Sequence, residues 1–187
     1  MPTPAAPQAL QTITLAGGCF WCLDAVFRRV RGVGSVECGY TNGHVIAPTY
    51  AEVCTGRTGH AEAVRIHYMP ERIGLDDLLD IFFTIHDPTT RDRQGNDVGP
   101  QYRSAIFTHG PEQAAAVHAY VDDLRKRRLF DAPIVTVIEP ENNYSPAEAG
   151  HQRYFERNPD QGYCAFVVAP KVGKLRSHFA DRLAHDA

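Results

Sequence analysis

Cys19 stands between a glycine pair, Gly17-Gly18, and the run Phe20-Trp21-Cys22. The glycines end an apolar stretch, the cysteine opens an expected helix, and two large aromatics follow it. Free backbone N–H groups point outward at a helix start, where the dipole is positive. That setting favours thiolate over thiol and predicts a lowered Cys19 pKa. Phe20 and Trp21 would form an apolar wall beside the sulfur, suited to an uncharged substrate end. The competing reading is a buried structural cysteine. The glycine pair and the helix start weigh against it, and Cys19 reads as a nucleophile.

Other residues bear on this site. Cys22 completes a Cys-x-x-Cys spacing, which suits a redox disulfide. Half of a zinc site is disfavoured, because no second Cys-x-x-Cys or histidine pair at metal spacing occurs. Cys22 is otherwise a small residue in a first helical turn. Glu62 lies at the entry to an expected strand, in Thr58-Gly59-His60-Ala61-Glu62. Near an apolar pocket its pKa would rise, and it would serve as a general acid. An exposed strand-end charge is the plainer reading, and the residues alone favour it. Asp97 sits in a turn, Arg93-Gln94-Gly95-Asn96-Asp97, where Asp is common for backbone reasons. Tyr50 and Tyr102 read as core aromatics with a polar tip or as site residues. His44, His60 and His86 have no spacing that supports a Cys–His pair.

The elements that must position these residues follow from hydrophobic periodicity. Thr12 to Ala16 is an expected strand. Phe20, Leu23, Val26, Phe27 and Val30 share one helical face, with Arg28, Arg29 and Arg31 in the last turn and Gly32 just beyond. Strands are expected over 33–40, 61–68 and 104–108, and a helix over 75–85. This order is β-α-β-β-α-β, the ferredoxin-like split unit. A helix (111–127), a strand (134–138) and helices over 147–157 and 172–183 complete it. The fold class expected is therefore α+β, a two-layer sandwich with long functional loops. Those loops, 42–59 and 86–103, are rich in Gly, Pro, Asn, Tyr and His, as suits a site built around a rigid sheet.

The chain has 187 residues, enough for one catalytic domain over 1–187, with 1–9 as a loose tail. A net charge of −3 points to neither nucleic acid nor an anionic membrane. No apolar run approaches the ~20 residues of a membrane span, and the N-terminus lacks the charge and apolar core of a signal peptide. Five scattered cysteines do not form a secreted disulfide framework, so a reducing cytoplasm is the expected compartment.

The motifs, taken together, resemble peptide methionine sulfoxide reductase of the A class, in a Gly-Cys-Phe-Trp-Cys variant. The matching blocks are Gly18-Cys19-Phe20-Trp21, Gly39-Tyr40-Thr41, Pro48-Thr49-Tyr50, Glu52-Val53-Cys54-Thr55-Gly56 and Thr58-Gly59-His60-Ala61-Glu62-Ala63-Val64. His86-Asp87-Pro88-Thr89, Arg93-Gln94-Gly95-Asn96-Asp97 and Gln101-Tyr102-Arg103-Ser104 follow. Departures include Cys22 where the family often has Gly, and Asn42 and Ala47 in neighbouring motifs. The resemblance implies Cys19 as nucleophile and Glu62 as the acid that protonates the sulfoxide oxygen. It implies Phe20 and Trp21 as the S-methyl pocket, and Tyr50, Asp97 and Tyr102 as residues that position the oxygen. It further implies methionine S-sulfoxide, in oxidised proteins and free, as substrate, a Cys19 sulfenic acid, and recycling by thioredoxin or another dithiol. No cofactor and no metal are expected, and the protein is expected to be a monomer.

The cysteine that resolves the sulfenic acid is Cys22 or Cys164, with Cys164 favoured. It follows Gly162 and Tyr163 in a C-terminal segment expected to swing over the site, and recycling cysteines in the family are commonly C-terminal. Cys38 and Cys54 read as buried, inert thiols. A thiol peroxidase or disulfide oxidoreductase remains an alternative, as does a metal-binding interaction module.

Overall fold

Along strand β1 (Gln11–Ala16), Ile13 and Leu15 alternate with Thr12, Thr14 and Ala16, so the strand has one aliphatic face. The computed structural model describes residues 9–185; of the expected tail, all but Ala9 lies outside them. Helix α1 (Phe20–Phe27) leads to β2 (Val33–Thr41), and a short helix α2 (Tyr50–Cys54) precedes β3 (Ala61–Tyr68). Helix α3 (Leu75–Ile85) is followed by a small hairpin, β4 (Arg93–Gln94) with β5 (Asp97–Val98), and then by β6 (Ala105–Thr108). Helix α4 (Pro111–Arg127), β7 (Val137–Pro140), β8 (Ser145–Pro146), α5 (Tyr154–Arg157) and α6 (Ala169–His178) complete the chain.

The six-stranded sheet has the order β7-β6-β1-β3-β2-β8. Its central pairs are antiparallel and β6–β7 is parallel. Because β3 lies between β1 and β2, which α1 connects, the β6-β1-β3-β2 core is the expected split βαβ unit. Ile13, Leu15, Val64, Ile66 and Ile106 join buried residues of α1, α3, α4 and α6 in one apolar core. Ala16, Ala61, Ala63, Ala105 and Phe107 form a separate cluster of mostly small side chains. The protein is thus α+β. Both long loops carry local structure: α2 in the first, the β4–β5 hairpin and a 3-10 turn over Pro100–Tyr102 in the second.

Four expected elements differ. Helix α1 ends at Phe27, before the arginines, where Arg28 pairs instead with the buried Asp24 carboxylate at 2.7 Å. The strand expected over 134–138 is Val137–Pro140, because backbone pairing with β6 begins only at Val137; Val135 N–H donates to Pro88 O instead. The helix expected over 147–157 breaks into a 3-10 turn, Ala149–His151, and α5. Arg153 takes a left-handed φ of 54° and donates its N–H to Asp24, while Gln152 bonds both the N–H and the C=O of Cys38. These long-range bonds outweigh helix propensity. The last helix lies further N-terminal than 172–183. Helix α6 continues from a π-helical segment, Cys164–Val168, and ends at His178; Arg182 beyond it pairs with Asp77.

The turn that delivers Cys19 is sterically tight. Gly18 has φ +90°, and a Cβ there would lie 2.6 Å from Gln94 Cγ. Gln94 is itself held by Asp87, whose N–H and C=O both bond its side-chain amide. Gly18→Ala combines a disfavoured backbone conformation with a clash. It is expected to lower unfolding free energy by about 1–3 kcal/mol in equilibrium denaturation; wild-type stability would contradict this account of the turn.

Candidate active site

Cys19 is the N-cap residue of α1, with extended backbone angles, and its carbonyl accepts the Cys22 N–H at 3.1 Å. One turn of helix therefore brings Cys19 and Cys22 together. The first helical N–H, that of Phe20, has no partner within its own helix. It donates to Glu62 Oε2 on β3 at 3.1 Å. Glu62 is only 1% exposed and Cys19 9% exposed. Residues distant in sequence thus form one buried pair of thiol and carboxyl group.

The electrostatics follow from that burial. Glu62 is pushed up to about 8, mainly by loss of water, with Asp97 adding to the rise and the Phe20 amide opposing it. At neutral pH it is largely a carboxylic acid. Burial, then the proximity of Glu62 and Cys22, pushes the Cys19 thiol well above its usual range; the Trp21 amide and the Tyr163 hydroxyl pull it down. The expectation of a lowered Cys19 pKa is therefore reversed. A helix start supplies N–H donors, but this one is dry and lies beside an acid, and desolvation wins. Cys22 is raised by burial and eased by Lys171 and Tyr163.

Phe20 is fully buried, its ring 5.7 Å from Tyr40 and 5.3 Å from His151. Trp21 is half-buried. It stacks on Tyr154 at 3.8 Å, and its indole N–H donates to His151 Nδ1 at 3.2 Å. Tyr50 opens α2, where Thr49 and Glu52 form a reciprocal capping box, and its ring lies 4.4 Å from His151. Tyr102 closes the 3-10 turn; burial, then the negative charges of Glu62 and Asp97, raise its pKa. Asp97, on β5, accepts the Tyr163 hydroxyl at 2.5 Å. The structure thus gathers Cys19, Phe20, Trp21, Cys22, Tyr50, Glu62, Asp97 and Tyr102 around one point.

His151, Tyr154 and Tyr163 join the same cluster, although no motif assigned them a role. The only signal in the chain was the position of Tyr163 next to Cys164. Cys164 is buried within a continuous helical segment, not held on an irregular swinging one. Cys54 is exposed, against the expectation of a buried thiol, because it ends the short surface helix α2. Cys38 is buried as expected. The histidines at 60 and 86 serve structure: His60 bonds Gly43 N–H and Val45 O, and His86 bonds Phe82 O and Ser104 Oγ. Among the described residues no group of three or more His, Cys, Asp or Glu could hold a metal, and no helix is long and apolar enough to cross a membrane.

A buried thiol at a helix start, beside a protonated carboxyl group on an α+β scaffold, suits cysteine-based nucleophilic chemistry assisted by an acid. The family model described as peptide methionine sulfoxide reductase matches residues 11–183. A Ralstonia nicotianae protein named peptide methionine sulfoxide reductase MsrA is 55% identical over 180 residues, 94% of each chain. Methionine sulfoxide reductase A of Corynebacterium diphtheriae superposes with a TM-score of 0.79 at 35% identity, over 89% of both chains. The structure of Mxr1 from Saccharomyces cerevisiae in complex with Trx2 matches with a TM-score of 0.54 at 28% identity, over 82% of this chain and 88% of that one. The chain belongs to the peptide methionine sulfoxide reductase family and is an oxidoreductase that reduces methionine sulfoxide.

Burial of Glu62 has a consequence for stability. Folded Glu62 binds its proton more tightly than the unfolded residue, whose pKa is 4.5. Its contribution is fully present below about pH 4.5 and is lost as pH rises through about 8. Glu62→Gln removes that dependence. Denaturation midpoints measured across this window should fall more steeply with pH for the unsubstituted protein than for the variant; parallel curves would place Glu62 in water.

Proposed function

We propose that Cys19 attacks the sulfur of methionine S-sulfoxide while Glu62 donates a proton to its oxygen. A sulfoxide is a poor electrophile until its oxygen is protonated or strongly hydrogen-bonded. The Phe20 N–H bond to Glu62, which holds the acid beside Cys19, is the observation that carries this reading. The high Cys19 pKa is compatible with it, because the thiol brings its own proton. The sulfoxide S–O bond breaks, the oxygen ends on Cys19 as a sulfenic acid, and the substrate leaves as a thioether. The thiol proton replaces the one that Glu62 lends. Cys19 is oxidised and methionine sulfoxide is reduced.

In this reading Trp21, backed by Phe20, offers the apolar surface for the S-methyl group, and Tyr50, Asp97 and Tyr102 orient the oxygen. Reduction of both protein-bound and free substrate follows from a site near the surface with a small apolar anchor. Cys22 resolves first, forming a disulfide with Cys19 and releasing water, and Cys164 then takes over the bridge. The shared helical turn and the burial of Cys164 within its helix support that order. A thioredoxin-type dithiol closes the cycle by exchange; the likeness to Mxr1 bound to Trx2 supports it. No metal or organic cofactor takes part. The protein acts as a monomer in the reducing cytoplasm, in keeping with five free cysteines.

Cys19→Ser should abolish reduction with the fold retained. Glu62→Gln should slow single-turnover methionine release by about 10²- to 10⁴-fold. In the unsubstituted protein that rate should fall as pH rises through about 8, where Glu62 loses its proton. Resolved epimers assayed separately should show turnover of the S form alone. Equal rates on both epimers, or a serine variant that still turns over, would refute the assignment.

A further inference from the structure

The reaction scheme above leaves Tyr163 unused. Tyr163 lies far in sequence from Cys19, Cys22, Glu62 and Asp97. Its ring meets Trp21 edge-on, with centroids 5.9 Å apart. Its hydroxyl donates to Asp97 Oδ2 at 2.5 Å and lies close enough to the Cys19 and Cys22 thiols to pull the pKa of each down. A single hydroxyl, held by Asp97 and carried on a ring that packs against Trp21, thus stands near the two sulfurs that a Cys19–Cys22 disulfide would join.

We propose that Tyr163 is a catalytic residue of the disulfide-forming step, acting as the proton relay between Cys22 and the oxygen carried by oxidised Cys19. The inference rests on the sulfenic acid chemistry proposed above. Condensation of a sulfenic acid with a thiol needs a proton taken from one sulfur and a proton given to the departing oxygen. Bulk water is badly placed for either task, since Cys22 is fully buried and Cys19 nearly so. The Tyr163 oxygen takes the Cys22 proton as the Tyr163 hydroxyl proton turns from Asp97 to the oxygen on Cys19. The Cys19 S–O bond breaks, the Cys19–Cys22 S–S bond forms, and one water leaves. No outside oxidant is required, because methionine sulfoxide has already supplied the oxygen. Asp97 fixes the hydroxyl, and Trp21, which lies between the two cysteines in the chain, fixes the ring.

Burial holds both thiols in their protonated forms, which makes a local acceptor for the Cys22 proton necessary. The relay also has a place in the chain that suits its task. Tyr163 directly precedes Cys164, so the residue that completes the first disulfide is tethered to the thiol that would receive the bridge next.

The test is a single turnover of Tyr163→Phe with methionine S-sulfoxide and no dithiol. Methionine release, sulfenic acid captured by a 1,3-dicarbonyl trap, and the Cys19–Cys22 disulfide found by peptide mapping are followed in parallel. Phe keeps the ring on Trp21 and removes only the hydroxyl. The expected result is release of about one methionine per chain, accumulation of trappable sulfenic acid, and disulfide formation slowed by about 10²-fold. Methionine release itself reports that the variant is folded. Disulfide formation at the unsubstituted rate would overturn the inference, as would slowing no greater than that of methionine release. If Tyr163→Phe released methionine and formed disulfide slowly, yet gave no trappable sulfenic acid, the underlying reaction scheme would fail instead, and the relay with it.

Discussion

The hydrogen bond from the Phe20 N–H to the Glu62 carboxyl group fixes the rest of the site. It satisfies the first free amide of α1 with an acid from the middle of the sheet, and so couples the helix start to β3. A carboxyl group held there loses its water, and that loss outweighs the single amide that would favour its charged form. The same desolvation raises Cys19. The pair therefore stores two protons in the resting protein, and a sulfoxide that enters meets an acid and a thiol together. A solvated cysteine with a low pKa would face an ionised glutamate and would lack the proton that the sulfoxide oxygen needs.

The surroundings keep this pair in register. Gly17 and Gly18 let the backbone pass beneath Phe82, His86 and Gln94, at distances that a side chain would not allow. The C-terminal third is tied to α1 and β2 through polar bonds: Arg153 to Asp24 on α1, Gln152 to Cys38 on β2, and the Trp21 indole to His151. These bonds are long-range and buried or partly buried, where an unpaired polar group is costly. They break the helical pattern over 147–157, and they bring Tyr154 and Tyr163 to Trp21. The irregularity of this region is the means by which a late segment reaches an early helix.

Legibility in the sequence followed this physics. Strand β3 and helices α3 and α4 were readable to the residue, because each is periodic and its ends carry Gly or Pro. The split βαβ core followed from their order. Cys19 was readable as a nucleophile from the glycine pair, but its protonation was not, because that depends on burial and on an acid distant in sequence. Glu62 alone looked like a strand-end charge; only the family resemblance pointed to an acid, and only the fold shows it buried. His151, Tyr154 and Tyr163 had no local pattern to mark them. Cys54 was misread because a conserved-looking motif says nothing about which side of a short helix meets water.

The account stands on Glu62 being a neutral acid beside a protonated thiol. Infrared difference spectra of the unsubstituted protein against Glu62→Gln, recorded across pH, observe that carboxyl group directly. The account predicts a protonated-carboxyl band at neutral pH that titrates away around the pKa of about 8. A Glu62 already ionised at about pH 6, near the ordinary carboxylate range, would contradict it.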